Sequence, residues 1–170
     1  MQKISTFFFR KDVLELAPNL LGKIIVRNFP DNSSLHLKIL ETEAYRGTED
    51  LACHASKGRT KRTDVMYHEG GTIYMYLIYG MYWMFNIVSG EINNPQAVLI
   101  RCAGDFNGPG KLTKALKMDK SFNGEHICKS DRIYIADDNY TPKIISKKRV
   151  GIDYAGEEWA NKLWRFVLKA

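Results

Sequence analysis

Between residues 71 and 88 the chain reads GTIYMYLIYGMYWMFNIV, and this stretch limits the possible folds more than any other. From Ile73 to Val88 it is apolar apart from Gly80 and Asn86, which is shorter than the ~20 residues of a membrane-crossing helix. Its aromatic and β-branched residues favour a strand over 71–79, bent or ended by Gly80. With period two, Tyr74, Tyr76 and Ile78 share one face, while Ile73, Met75, Leu77 and Tyr79 share the other. A buried tyrosine hydroxyl needs a partner. The strand is therefore either a core strand whose hydroxyls find backbone groups or a wall of flat, amphipathic rings suited to a nucleobase.

The remaining elements come mostly as strands in hairpin order. The segments 22–28 and 35–45 flank the turn FPDNSS, and further strands are expected at 96–103, 131–137, 142–152 and 163–168. Short helices are expected at 10–17, ended by Pro18, and at 110–118, entered through Gly-Pro-Gly, with a helical turn at 155–162. Residues 46–64 have no sustained period and read as a long loop or short helix. Hairpins rather than strand–helix–strand units point to an α+β fold with a largely antiparallel sheet. At 170 residues, one domain spanning 1–170 is expected.

Three cysteines without CxxC spacing argue against a disulfide framework and fit a reducing, intracellular setting. The N-terminal MQKISTFFFRKDV has too short an apolar run for a signal peptide. A net charge of +6 favours an anionic partner, nucleic acid or a membrane surface.

Three segments could carry chemistry. In the strand 35–45, alternation puts Leu35, Leu37, Ile39, Glu41, Glu43 and Tyr45 on one face, so an apolar face runs into two acids. Either a bulge changes the register or an arginine pairs with the acids, or else a carboxylate stands at the wall of a pocket, where partial burial makes it a better base. The loop HASKGRTKR (54–62) holds Lys57, Arg59, Lys61 and Arg62 beside Thr60, and is either a solvated loop or a grip on phosphate. Lys111, Lys114 and Lys117 form a stripe at helical spacing, and Gly108 and Gly110 leave the helix start approachable. Cys53-His54 and His126-x-Cys128 match no zinc spacing, so no metal is expected.

In order along the chain, LLGKIIVR (20–27), ETEAY (41–45), DLACHASKGRTKR (50–62), VMY (65–67), GGTIYMYLIYGMYWMFNIV (70–88), AVLIR (97–101), GPGKLTKAL (108–116), RVGI (149–152) and WRF (164–166) resemble the alkyladenine, or 3-methylpurine, DNA glycosylase family. The resemblance runs from about residue 10 to residue 166. It implies one α+β domain around a curved, largely antiparallel sheet with flanking helices. It implies that Glu43 activates water and that Arg101 helps to hold that water and orient the carboxylate. Tyr45, His54, Tyr76 and Asn86 would line the base pocket, with Asn86 set against the 2-amino group of normal guanine. Tyr79 would wedge into the duplex, and Arg59, Thr60, Arg62, Met66, Tyr82 and Lys111 would lie along the DNA.

The implied activity is monofunctional. A 3-methyladenine, 7-methylguanine, hypoxanthine or ethenoadenine is flipped from double-stranded DNA, and water cleaves its N-glycosidic bond. The implied protein acts as a monomer, in the cytoplasm on nucleoid DNA or otherwise inside the cell, without cofactor or membrane. Two departures concern DNA affinity rather than chemistry: Lys61 stands where the family usually has proline, and the loop 103–107 is compact. The rival readings are a DNA-binding module without catalysis and an RNA-directed protein, since aromatic platforms also read single strands.

Overall fold

The computed structural model describes all residues from 1 to 170. Ten strands form the sheet: β1 (Gln2–Lys3), β2 (Ile24–Asn28), β3 (Ser34–Arg46), β4 (Ile73–Ile78), β5 (Tyr82–Ser89), β6 (Gln96–Ala103), β7 (Phe106–Asn107), β8 (Ile133–Asp137), β9 (Ile144–Lys147) and β10 (Arg165–Leu168). Every pairing is antiparallel. The main path runs β1-β8-β2-β3-β6-β5-β4, with β10 against both β3 and β9, and β7 on β6. With α1 (Val13–Asn19), α2 (Pro109–Ala115) and α3 (Glu157–Ala160), the fold is α+β as expected.

Boundaries differ from the sequence pattern where local bonds decide them. The Asp12 carboxylate accepts the Leu14 N–H, so α1 starts at Val13 instead of Arg10. It runs through Pro18 to Asn19, since a proline in the final turn forfeits only one amide donor. Of the strand expected at 142–152, only Ile144–Lys147 pairs. The apolar run of 71–88 is a hairpin of two strands, β4 and β5, around the turn at Tyr79, Gly80 and Met81.

The most consequential difference lies in β3, the strand that pairs with β2, β6 and β10. Its register against β6 shifts between Ile39 and Glu41 and again between Glu41 and Thr42. This bulge breaks the alternation. Ile39 and Ala44 pack in the same large hydrophobic cluster, although strict alternation sets them on opposite faces. The Thr42 hydroxyl donates to the Ala17 carbonyl of α1 at 2.8 Å, on the core side. The apolar face therefore does not run into the acids. The bulge turns Thr42 and Ala44 inward and leaves Glu43 and Tyr45 on the opposite side.

The core is built around α1 and the strands beneath it, with Phe9, Leu16, Leu20, Ile39, Phe85 and Ile100 among its fully buried side chains. Gln96 at the start of β6 accepts the Val13 N–H at 3.0 Å, tying the helix start to the sheet. Thr113 of α2 donates to the Trp83 carbonyl of β5 at 2.8 Å, which fixes α2 beside the hairpin.

Thr42→Val keeps the shape but leaves the Ala17 carbonyl without its hydroxyl partner. We expect a loss of about 1 kcal/mol, read as a lower urea midpoint with an unchanged slope. An unchanged midpoint would contradict the role given to this bond.

Candidate active site

The bulge delivers Glu43 to the wall of a cavity with no solvent exposure of its side chain. An anion there must be held by donors. Glu43 Oε1 accepts the Tyr45 hydroxyl at 2.9 Å and lies 3.4 Å from Arg101 Nη1, while Oε2 accepts the Val150 N–H at 2.7 Å. Burial raises the carboxyl above its ordinary pKa, and this outweighs the opposing pull of Arg101, the Val150 amide, Tyr45 and Arg149. The result is a carboxylate with more proton affinity than usual, as a general base requires.

Arg101 reaches this place because β6 lies beside β3, 58 residues apart in sequence. Its Nε sits 3.8 Å from Glu41 Oε2, so the guanidinium stands between the two acids of ETEAY. Glu41 is held further by Arg165 at 2.6 Å and by the Cys102 thiol at 2.9 Å. Burial alone would raise the Glu41 carboxyl, but these donors and the Arg101 charge bring it below its usual value. The two acids of one motif therefore differ. Glu41 is part of an ion-pair network, and Glu43 faces the cavity.

The cavity has an aromatic interior and a wider mouth. Tyr45, His54, Met66, Tyr74, Tyr76, Asn86 and Tyr154 line the interior, together with Ala52, Cys53 and Ala97. The mouth, about 530 Å³, is bounded by Glu43, Arg101, Tyr79, Pro109, Val150 and Gly151, among others, and shares Tyr45, His54, Tyr76 and Tyr154 with the interior. The His54 ring lies 4.5 Å from that of Tyr76, and Tyr74 lies 5.5 Å from Tyr76. His54 Nδ1 is 2.9 Å from the Tyr74 hydroxyl, so this tyrosine is partnered by a side chain and not by backbone. Asn86 Nδ2 donates to the Tyr74 and Met84 carbonyls at 3.2 and 3.4 Å, which fixes the amide at the cavity floor. Burial, with the cations of Arg62 and Lys57 added, pushes the His54 pKa down to about 4.

Around the mouth, Tyr79 is 88% exposed at the hairpin tip, in the left-handed region at φ 51°. A non-glycine residue there is strained, and function is one reason such strain is kept. Tyr82 is half-exposed against Gly110, and Lys111 is exposed on α2. Arg62 lies 5.5 Å from the Tyr76 ring, at the cavity edge. Arg59 is engaged within the protein, bonded to Asp64 at 2.8 Å and stacked 4.9 Å from the Tyr67 ring. The Thr60 N–H donates to the Thr63 hydroxyl at 2.8 Å and locks the loop. Met66 is not on the surface expected for it. It is 2% exposed, packed with Cys53, Ala55 and Tyr74 under the cavity, because the turn Asp64–Tyr67 points it inward.

Two participants escape the sequence pattern. Val150 acts through its backbone amide, for which no side-chain signal exists. Tyr154 follows RVGI in an unpatterned turn. Tyr74, by contrast, lines the cavity beside Tyr76, as alternation along the strand sets it. No three His, Cys, Asp or Glu side chains gather as metal ligands, and no helix is long and apolar enough to cross a membrane.

The family model for methylpurine-DNA glycosylase matches residues 7–106 and 103–170. A protein of Natranaerobius thermophilus, provisionally named 3-methyladenine DNA glycosylase, is 41% identical over 191 residues, covering 98% of this chain and 96% of its own. Proteins with the same provisional name in Borrelia garinii subsp. bavariensis and Clostridium novyi are 43% and 42% identical. These alignments cover 96% and 99% of this chain, and 94% and 96% of theirs.

Histidine NMR should place the His54 midpoint at about 4. Between about 4 and 6.5 the unfolded chain then binds more protons at this site than the folded one. The contribution of His54 to stability is complete above 6.5 and is lost as pH falls through that window. A midpoint near 6.5 would contradict the burial described.

Proposed function

Because this chain belongs to the methylpurine-DNA glycosylase family, we propose that it is a monofunctional hydrolase that removes alkylated and deaminated purines from duplex DNA with a water activated by Glu43. The family makes it a DNA repair enzyme acting on N-glycosyl bonds. The observation that carries the finer reading is the fully buried Glu43 carboxylate, held by three donors at the wall of an aromatic cavity.

Glycosidic hydrolysis passes through an oxocarbenium-like state and usually takes two carboxyl groups, one of them to protonate the leaving group. A 3-methyladenine or 7-methylguanine base already carries positive charge and departs without that proton. One acid then suffices. Glu43 takes a proton from water as the oxygen attacks C1′, and its charge faces the developing cation. Such base assistance contributes roughly a hundred- to ten-thousand-fold. Hypoxanthine and ethenoadenine are neutral, so their excision is slower unless a donor assists.

The tyrosines offset the cost of extracting the base. Leaving the stack costs a few kcal/mol, less for a poorly pairing lesion, and stacking returns about 1–3 kcal/mol. Against the rings of Tyr45, His54 and Tyr76 that line the cavity, a cationic purine gains a further ~0.5–2 kcal/mol. A neutral His54 adds no repulsion to that cation. Tyr79 fills the gap in the duplex, and Asn86 crowds the 2-amino group of guanine, a cost that normal guanine cannot offset and that the positive charge of 7-methylguanine offsets against the ring faces. Arg62, Tyr82 and Lys111 contact DNA. The protein works as a monomer on nucleoid DNA, without a cofactor.

A pure reader of damaged DNA is the second reading. It needs the rings and the basic loop, but not a buried acid whose charge costs folding energy.

Glu43→Gln should bind a 7-methylguanine duplex like wild type and lose at least a hundredfold in single-turnover excision. Because water is the nucleophile, borohydride should trap no protein–DNA adduct. Wild-type turnover in Glu43→Gln would overturn the assignment of the base, and a trapped adduct would overturn the monofunctional reading.

A further inference from the structure

Beside the cavity, Arg149 and Asp50 form an ion pair with no solvent exposure at either end. Arg149 Nη1 donates to Asp50 Oδ2 at 2.6 Å and Nη2 donates to Oδ1 at 3.0 Å, a two-pronged match. Asp50 also accepts the backbone N–H groups of Arg46 at 2.9 Å and Ala52 at 3.1 Å, so its carboxylate organises the turn that leads to His54.

The contacts of Arg149 fall on both sides of one hydrogen bond. Its Nη1 also donates to the Ala44 carbonyl at 3.0 Å, and its guanidinium lies 5.0 Å from the Tyr45 ring. Ala44 and Tyr45 are the two residues after Glu43. The residue after Arg149 is Val150, whose N–H donates to Glu43 Oε2. One guanidinium therefore grips the strand next to the carboxylate and the chain next to its backbone donor. Val150 lies outside β9, and Gly151 beyond it takes a left-handed φ of 72°. No strand pairing fixes the amide. A buried ion pair is weak evidence for stability, since apolar replacements are often neutral or better. Stability alone does not account for this one.

We propose that the Asp50–Arg149 pair is a positioning device, which holds the Val150 amide on Glu43 and so fixes the carboxylate in its working orientation. The proposal rests on the reading of Glu43 as the general base.

The groups facing Glu43 are few enough to make the test specific. They are Tyr45 from β3, with Glu41 reached through Arg101; Arg101 from β6; Tyr76 from β4; Arg165 opposite on β10; and Arg149, the Val150 amide and Tyr154 from the segment after β9. Asp50→Asn keeps the shape but leaves the Arg149 cation uncompensated near Glu43. The Glu43 titration should then move down by about half a pH unit or more. Asp50→Leu combined with Arg149→Met removes both charges and the grip, which should move the titration up.

The two variants and wild type would be compared by carboxyl ¹³C NMR of Glu43, by urea stability and by single-turnover excision of 7-methylguanine against pH. The permanently charged lesion keeps substrate protonation out of the acid limb. Glu43 must be ionised to act, so the limb should follow its titration, to lower pH in Asp50→Asn and to higher pH in the double variant. The double variant also strands the Arg46 and Ala52 amides and the Ala44 carbonyl, so its urea midpoint should fall while the fold is kept, and at neutral pH it should excise at least about tenfold more slowly. Wild-type titration and excision in the double variant would overturn the proposal and leave the pair as scaffold. If Asp50→Asn does not fold, the double variant carries the decision. If wild-type protein excises nothing, the assignment of the base fails, while the NMR titration still decides whether the pair governs Glu43.

Discussion

A carboxylate without solvent exposure has to find its donors inside the protein, and most of this site follows from how Glu43 does so. Its own strand supplies Tyr45, the neighbouring strand supplies Arg101, and a distant segment supplies the Val150 amide. The bulge in β3 allows all three. Without it, the face that carries Ile39 into the core would carry Glu43 there too. The core could not solvate that charge, and the cavity would have no acid.

The same economy shapes the aromatic wall. In β4, Ile73 and Met75 go to the main core while Tyr74 and Tyr76 go to the cavity, as period two requires. The hairpin that places these rings also ends in an exposed tyrosine held in a strained backbone conformation. The aromatic cavity wall and the exposed tyrosine at the tip are thus one element, and the distance between them is set by strand geometry.

Much of this was legible in the residues. The strand faces of Tyr74 and Tyr76, the turn at Gly80 and the antiparallel order followed from alternation and turn chemistry. The acids of ETEAY stood out because acids rarely continue an apolar face. The two ordinary explanations for them, a bulge and a pairing arginine, are both true, and neither removes Glu43 from the cavity. Alternation could not place the bulge, which depends on pairing with β6. The buried position of Met66 and the internal engagement of Arg59 depend on how the loop folds back on itself. The Val150 amide and the Asp50–Arg149 pair join residues about a hundred positions apart, across contacts that exist only once the sheet has formed.

One measurement bears most directly on whether this buried carboxylate does chemistry. Wild-type protein would be incubated, with a chelator present, with duplexes carrying one 7-methylguanine, ethenoadenine or hypoxanthine. Free base would be identified by mass spectrometry, and strands would be examined before and after alkali. Release of the free purine is expected, fastest for the cationic lesion, with strand cleavage only after alkali. Tight binding of these duplexes with no base released from any of them would contradict a catalytic Glu43, and would make the protein a reader of damage.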